Sequence, residues 1–388
     1  MIEWDSAQLR EIAQEQGTPC FVYSHAMIED RAKKLLNLAL PFGCCPRYAV
    51  KANNHPDVIR LLDGLGMHFD ASSSYEAQEL LDLGVIGEKI SLSSQQPAHN
   101  LPELLTKGVR YVATSMHQLE LYEATTGRPS AVALRVNPGV GAGHNNRNMT
   151  GGANSSFGLW NTYVAEALHF VHKHGIVIDR LHIHIGSGAD PTIWGKMMEA
   201  ALDIAETMPD VVRLDIGGGF KIHRYGDEKE ADMIAIGAEF GRLLQGFAAK
   251  TGRKLHLEIE PGTWLVGHAG VLLSEIVDIV DTGSDGHTFL RLNTGMNDFA
   301  RPTMYGSQHQ MAVLNDSADT EEYVVVGHNC ETGDILTTAP TDPEGIEPRE
   351  LRSAAIGDTL AIYDTGVYCR SMSLKGYNSF PGASELFI

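Results

Sequence analysis

The residues best able to do chemistry fall at the ends of short apolar runs. Lys51 closes one of them and is followed by Ala-Asn-Asn. A lysine there serves as an ion-paired or snorkelling surface group, or as an amine that forms a Schiff base with a carbonyl. Other polar residues close comparable runs: Asp70, Ser93 and Ser94, Arg135 and Asn137, His184 and Ser187, Gly217-Gly218-Gly219, and Glu260 with Gly262. Glycines allow backbone N–H groups to approach phosphate oxygens closely. A pyridoxal cofactor needs a lysine for its aldehyde, a donor cradle for its phosphate, a group over its ring and an acid beside its pyridine nitrogen. Lys51, the glycine segments with Ser187, His184 and Glu260 offer one of each. His182 and His184, two apart, share one face of a strand. As a metal pair they lack an evident third ligand in the sequence, so no metal is expected.

The elements that must bring these residues together are legible as a rhythm. Strand patterns at 48–51, 67–70, 89–93, 110–114, 131–136, 179–185, 212–216 and 254–260 alternate with helical patterns at 56–65, 75–83, 101–105, 117–124, 163–174, 191–207 and 234–251. Such alternation implies right-handed βαβ units around a parallel sheet. Eight repeats predict an α/β chain with a (β/α)8 barrel, and a doubly wound sheet is the alternative. In a barrel the active face is built from the strands' C-terminal ends, with phosphate held after strands seven and eight. That is where the glycines Gly217 to Gly219 and Gly262 fall.

Before this rhythm stand a helix at 5–15, with Asp5 as its N-cap, a strand at 20–23 and an amphipathic helix at 26–40. After Glu260 the pattern changes to strands at 271–280, 287–292, 322–326, 359–363 and 385–388. The expected organisation is therefore an N-terminal segment, 1–25, packing with a C-terminal β domain, 266–388, and a barrel, 26–265, between them. The glycine- and asparagine-rich stretch 139–158 reads as a mobile loop near the active face.

The chain has 388 residues, 30 Lys and Arg against 49 Asp and Glu, and a net charge of −19. That surface repels phosphate backbones and disfavours nucleic acid as a partner. Five unevenly spaced cysteines without a CxxC pair suggest neither a disulfide framework nor a zinc site. No run of 18 apolar residues and no signal-peptide pattern is visible, so a cytoplasmic protein is expected.

Five segments then appear in order: Tyr48-Ala49-Val50-Lys51-Ala52-Asn53, His184-Ile185-Gly186-Ser187, Asp215-Ile216-Gly217-Gly218-Gly219-Phe220, Glu260-Pro261-Gly262 and Cys330-Glu331-Thr332-Gly333-Asp334. Together they resemble the fold-type III pyridoxal-phosphate amino-acid decarboxylases, the ornithine and diaminopimelate decarboxylase family. The likeness is nearer to the branch acting on meso-diaminopimelate, through Arg301-Pro302-Thr303-Met304-Tyr305-Gly306, Gly366-Val367-Tyr368 and Tyr377-Asn378-Ser379. It implies an alanine-racemase-like barrel with a β domain, and a pyridoxal 5'-phosphate carboxy-lyase making L-lysine and CO2. It implies Lys51, Cys330 and His184 as catalytic residues. Cofactor binding falls to Lys51, Asp70, His184, Ser187, Gly218, Gly219, Glu260, Gly262 and Tyr368, and substrate binding to Arg301, Tyr305, Glu331 and Tyr368. It further implies a homodimer whose chains share active sites. Thr263 and Phe380 stand where the family pattern has arginine. They leave open a related substrate: carboxynorspermidine, a D-amino acid, or a siderophore or antibiotic intermediate. A pyridoxal-phosphate carrier would lack the β domain, and a racemase usually sets arginine, not Glu260, against the pyridine nitrogen.

Overall fold

The structure, a computed structural model, describes residues 4–126, 130–140, 151–184 and 186–388. It divides into two units. One comprises Glu29–Ile222 and Lys229–Leu265; the other comprises Met1–Ile28, His223–Glu228 and Val266–Ile388.

The first unit is a closed barrel. Its eight strands are Cys44–Ala49, His68–Ala71, Ile90–Ser93, Arg110–Ala113, Ser130–Asn137, Ile176–His182, Arg213–Asp215 and His256–Ile259. Each pairs in parallel with its neighbours in sequence order, and His256–Ile259 pairs back onto Cys44–Ala49. This closure removes the sheet edges that a doubly wound fold would keep. The short strand Leu159–Trp160 pairs in parallel with Val136 and Asn137, the last residues of the fifth barrel strand. Start signals place the helices: Pro56 and Pro191 open theirs, and the side chains of Ser73, Asp190 and Asp232 accept from first-turn N–H groups.

The barrel's interior carries charge as well as apolar side chains. Arg47 donates from Nε to Glu258 Oε2 at 2.8 Å, and Arg180 reaches the same oxygen at 3.0 Å. Arg180 also donates to Asp215 Oδ2 at 2.6 Å and to Ser91 Oγ at 2.9 Å. All four charged groups are at most 2 % exposed, and their charges balance. Removing one partner from such a set strands a buried charge and costs about 3–5 kcal/mol.

The second unit is built on a mixed sheet. Its strands run Met311–Val313, Thr359–Tyr363, Gly270–Asp281, Thr288–Leu292, Thr320–Val326 and Arg349–Arg352 across the sheet. The N-terminal strand Cys20–Tyr23 pairs antiparallel with Gly270–Asp281 and parallel with Ser384–Phe387. Helix Ser6–Gln16, capped by Asp5, buries Leu9, Ile12 and Ala13 against Val271, Leu273 and Leu314.

Several expectations shift. The helix expected over 26–40 is His25–Leu36. Lys51 is not the last residue of a strand: the strand ends at Ala49, and Lys51 lies in the single 3-10 turn Val50–Ala52. The segment 223–228 groups with the β unit, where Arg349 lies 3.7 Å from the Tyr225 ring. Strands Met311–Val313, Asp342–Ile346 and Arg349–Arg352 left no readable pattern, being short or interrupted by Pro343 and Gly345. Of the loop expected over 139–158, residues 141–150 lie outside the described residues. Asn137 ties its two stems, accepting from Gly139 N at 3.0 Å and Gly152 N at 2.9 Å.

Candidate active site

In the barrel unit the residues singled out by type lie at the C-terminal ends of the strands. Asp70 is in the second strand, and His184, Gly217 and Glu260 lie just beyond the sixth, seventh and eighth. Three backbone segments meet there. Gly188 N donates to Gly219 O at 3.0 Å, and Glu260 N to Gly217 O at 2.8 Å. The packing is close enough to require glycine. A Cβ on Gly218 would sit 2.0 Å from the Glu260 carbonyl oxygen, and one on Gly219 would sit 1.9 Å from that of Gly186. Gly219 also has φ +104°, which only glycine adopts readily.

His184 accepts from Gly218 N–H through Nδ1 at 3.2 Å. That bond sets the neutral tautomer with its proton on Nε2. Burial, then Arg135, holds its pKa well below the usual imidazole range. His182 is likewise kept neutral by burial, its pKa pushed down to about 3. His182 ends the strand, and His184 lies two residues past it. The third donors absent from the sequence reading exist in space. Among the described residues, His182, Asp215 and Glu260 each bring one ligand atom within 4.8 Å of the others. Asp215 is already engaged by Arg180 and by Gly217 N–H.

At this end of the barrel two carboxyl oxygens, Asp70 Oδ1 and Glu260 Oε1, are buried with no hydrogen-bond donor among the described residues. Burial is the main reason their protons are held tightly. Asp70 is raised to about 7, with Glu260 adding to the effect, and Glu260 to about 8, with Asp215 adding. The charge of Lys51 opposes both shifts. A buried carboxyl oxygen without a donor, a run of glycine backbone and a neutral histidine at one end of the barrel suit a flat, phosphorylated, cationic heteroaromatic. These residues therefore fit pyridoxal phosphate.

The sequence comparisons agree. Residues 26–267 match the family described as pyridoxal-dependent decarboxylase, pyridoxal binding domain. The chain belongs to the pyridoxal-dependent decarboxylases. It is similar to the diaminopimelate decarboxylase of Streptomyces coelicolor, with 32 % identity covering 99 % of this chain and 87 % of that one. For the diaminopimelate decarboxylase of Escherichia coli K12 the identity is 31 %, covering 97 % and 90 %. A crystal structure of a diaminopimelate decarboxylase superposes with a TM-score of 0.89 at 30 % identity, covering 98 % of this chain and 90 % of that one. Another from M. jannaschii, in complex with L-lysine, gives 0.85 at 25 %, covering 97 % and 88 %. This decarboxylase thus has the fold-type III architecture and uses pyridoxal phosphate. No helix among its described residues is long and apolar enough to cross a membrane.

The β unit of the decarboxylase holds the other set. Arg301 opens the helix Arg301–Tyr305, with its Cζ 5.9 Å from the Tyr368 ring centroid and Nη2 donating to Ser307 Oγ at 3.3 Å. Tyr305 is half-buried on the same helix. Cys330 is an exposed free thiol whose N–H donates to Asn378 Oδ1 at 2.7 Å. Glu331 accepts from Gly333 N and from the Tyr377 hydroxyl, both at 3.3 Å, which hold its pKa down. Asp334 of the same motif is structural: it accepts from Met296 N at 2.7 Å and Asn329 Nδ2 at 2.7 Å. Phe380 stacks on His328 with centroids 3.6 Å apart. One residue escaped the sequence reading. Arg224 is buried, its Nε has no acceptor, and its pKa is pushed down to about 10 by burial and then by Arg301. The signal was available as a basic residue five positions beyond Gly219.

Proposed function

We propose that this decarboxylase converts meso-diaminopimelate to L-lysine and CO2. What carries the reading is two buried guanidinium nitrogens of the β unit, Arg224 Nε and Arg301 Nε, for which no acceptor lies among the described residues. Diaminopimelate carries a distal carboxylate that ornithine and lysine lack, and buried cations call for an anion. The near-full-length similarity to diaminopimelate decarboxylases supports the same substrate.

In this reading Lys51 holds the cofactor covalently and yields it to the substrate amine. When bound, pyridoxal phosphate supplies an electron sink for the pair left as CO2 departs. Glu260, with Asp70 supporting it, would hold the proton on the cofactor's ring nitrogen, and His184 would pack on its ring. Ser187, Gly218, Gly219 and Gly262, with Tyr368, bind phosphate. Cys330 or Lys51 returns a proton to Cα. Arg301, Tyr305 and Tyr368 contact the substrate, and Glu331 takes its distal amine. Cys330 and Glu331 of one chain serve a second copy in a homodimer, acting in the cytoplasm.

A related substrate is the second reading, favoured by Thr263 and by the commitment of Phe380 to His328. CO2 release from meso-diaminopimelate, with its stereoisomers and lysine as controls, separates the two. Release from another substrate and none from meso-diaminopimelate refutes the first. Arg301→Ala and Arg224→Gln should each lower kcat/KM for diaminopimelate at least tenfold, about 1.4 kcal/mol. Cofactor loading should hold. Conversely, Gly219→Ala should weaken cofactor binding at least roughly tenfold, measured by equilibrium dialysis, because its Cβ has no room.

A further inference from the structure

The barrel's opposite end contains a cavity that decarboxylation does not use. Its volume is about 320 Å³, and it opens among the first residues of several strands. Arg47, Arg110, Arg213, His68 and His256 line it, and Glu258 is its sole lining carboxylate. Glu258 is itself spent on Arg47 and Arg180. Arg213 pairs with Asp179 at 2.6 Å through Nη1 alone. Among the described residues the side chain of Arg110 joins no hydrogen bond or ion pair, its backbone being paired in the sheet. His68 Nδ1 is buried and has no hydrogen-bond partner.

This is an unbalanced arrangement in a chain of net charge −19. Burial, then Arg213 and Arg47, make Arg110 a less favourable cation than it would be in water. An anion would relieve that repulsion and give His68 an acceptor. Guanidinium forks match tetrahedral oxyanions, offering five donors each in fixed geometry. The cavity exceeds the size of a single phosphate and admits a short ester tail.

We propose that this cavity binds a phosphate-sized oxyanion, free or as a small phosphate monoester, held by Arg110 and Arg213 with His68 donating from Nδ1. The site is distinct from the cofactor's phosphate cradle, which lies at the other ends of the same strands.

The test uses holoenzyme saturated with pyridoxal phosphate, so that the cofactor cradle is filled. Sodium phosphate and glycerol phosphate are titrated calorimetrically and by thermal denaturation, against sodium chloride of matched ionic strength. The expected result is saturable binding with a saturable rise in Tm beyond chloride. Tighter binding of the ester assigns the tail its place; equal binding assigns the site to free phosphate. Arg110→Gln should weaken binding at least tenfold, and Arg110→Lys should recover part of it. Because the Arg110 side chain has no partner among the described residues, Arg110→Gln should fold normally and be no less stable in phosphate-free buffer. No saturable binding to the wild-type holoenzyme, or binding unchanged in Arg110→Gln, overturns the proposal.

Discussion

Lys51→Ala is expected to lower kcat/KM by at least about a thousandfold, roughly 4 kcal/mol of transition-state stabilisation. The variant should also lose every borohydride-fixable bond to the cofactor, checked by intact mass and by mapping the modified peptide. Two effects are mixed in this substitution. Lys51 supplies an amine, and its charge opposes the proton affinity of both Asp70 and Glu260. Lys51→Arg separates them by restoring the charge without the nucleophile. It should recover the ionisation of the two carboxyls and none of the covalent link. The glycine backbone at this end does not depend on Lys51, since its bonds run among Gly188, Gly217, Gly219 and Glu260. Noncovalent cofactor binding should therefore survive in both variants. A borohydride-stable adduct on Lys51→Ala would falsify the assignment.

Much of this was legible from residue types because barrels report themselves through spacing. Eight apolar runs separated by helical patterns match the eight parallel strands, and the closed order needs no long-range information beyond that count. Glycine also reports itself. Gly218 and Gly219 are required by backbone contacts whose presence could be suspected from three glycines in a row at a strand's end. What was hidden is interior electrostatics. Arg47, Arg180, Asp215 and Glu258 come from four different strands, and nothing local in a strand indicates that its charged residue points inward to a partner. Arg224 was hidden for a related reason. It follows the glycine segment in sequence yet belongs with the β unit, so no strand end points to it. The exact end of the first strand was lost because Ala49, Val50 and Ala52 are all buried, and an apolar run alone does not distinguish a strand from a tight turn.

Glu260→Gln should lower the rate of the chemical step at least a hundredfold, about 2.7 kcal/mol. The reason lies in how the protein holds this carboxyl. It is buried, its Oε1 has no donor among the described residues, and His182, whose Nε2 lies 3.5 Å from Oε2, is kept neutral. Without a cationic partner Glu260 keeps its proton to about pH 8, because burial and Asp215 both disfavour the anion. A protonated ring nitrogen reverses that balance, and the carboxylate then holds the nitrogen's proton through charge. Glutamine offers the same shape with no charge, so the ring nitrogen loses its reason to stay protonated. The apoenzyme gives an independent readout. A folded-state pKa above the unfolded value means that the native chain binds more protons between about pH 4.5 and pH 8. Its stability contribution is complete below that window and is lost as the pH rises through it. Apo Glu260→Gln should therefore lose less stability than the wild type between pH 5 and pH 8, by denaturant midpoint. Asp70, raised to about 7, keeps a smaller slope of the same sign in both proteins. An unchanged single-turnover rate in Glu260→Gln would remove the residue from the chemistry, whereas a slower rate with an unchanged apoenzyme pH slope would mean its carboxyl is already ionised before the cofactor binds.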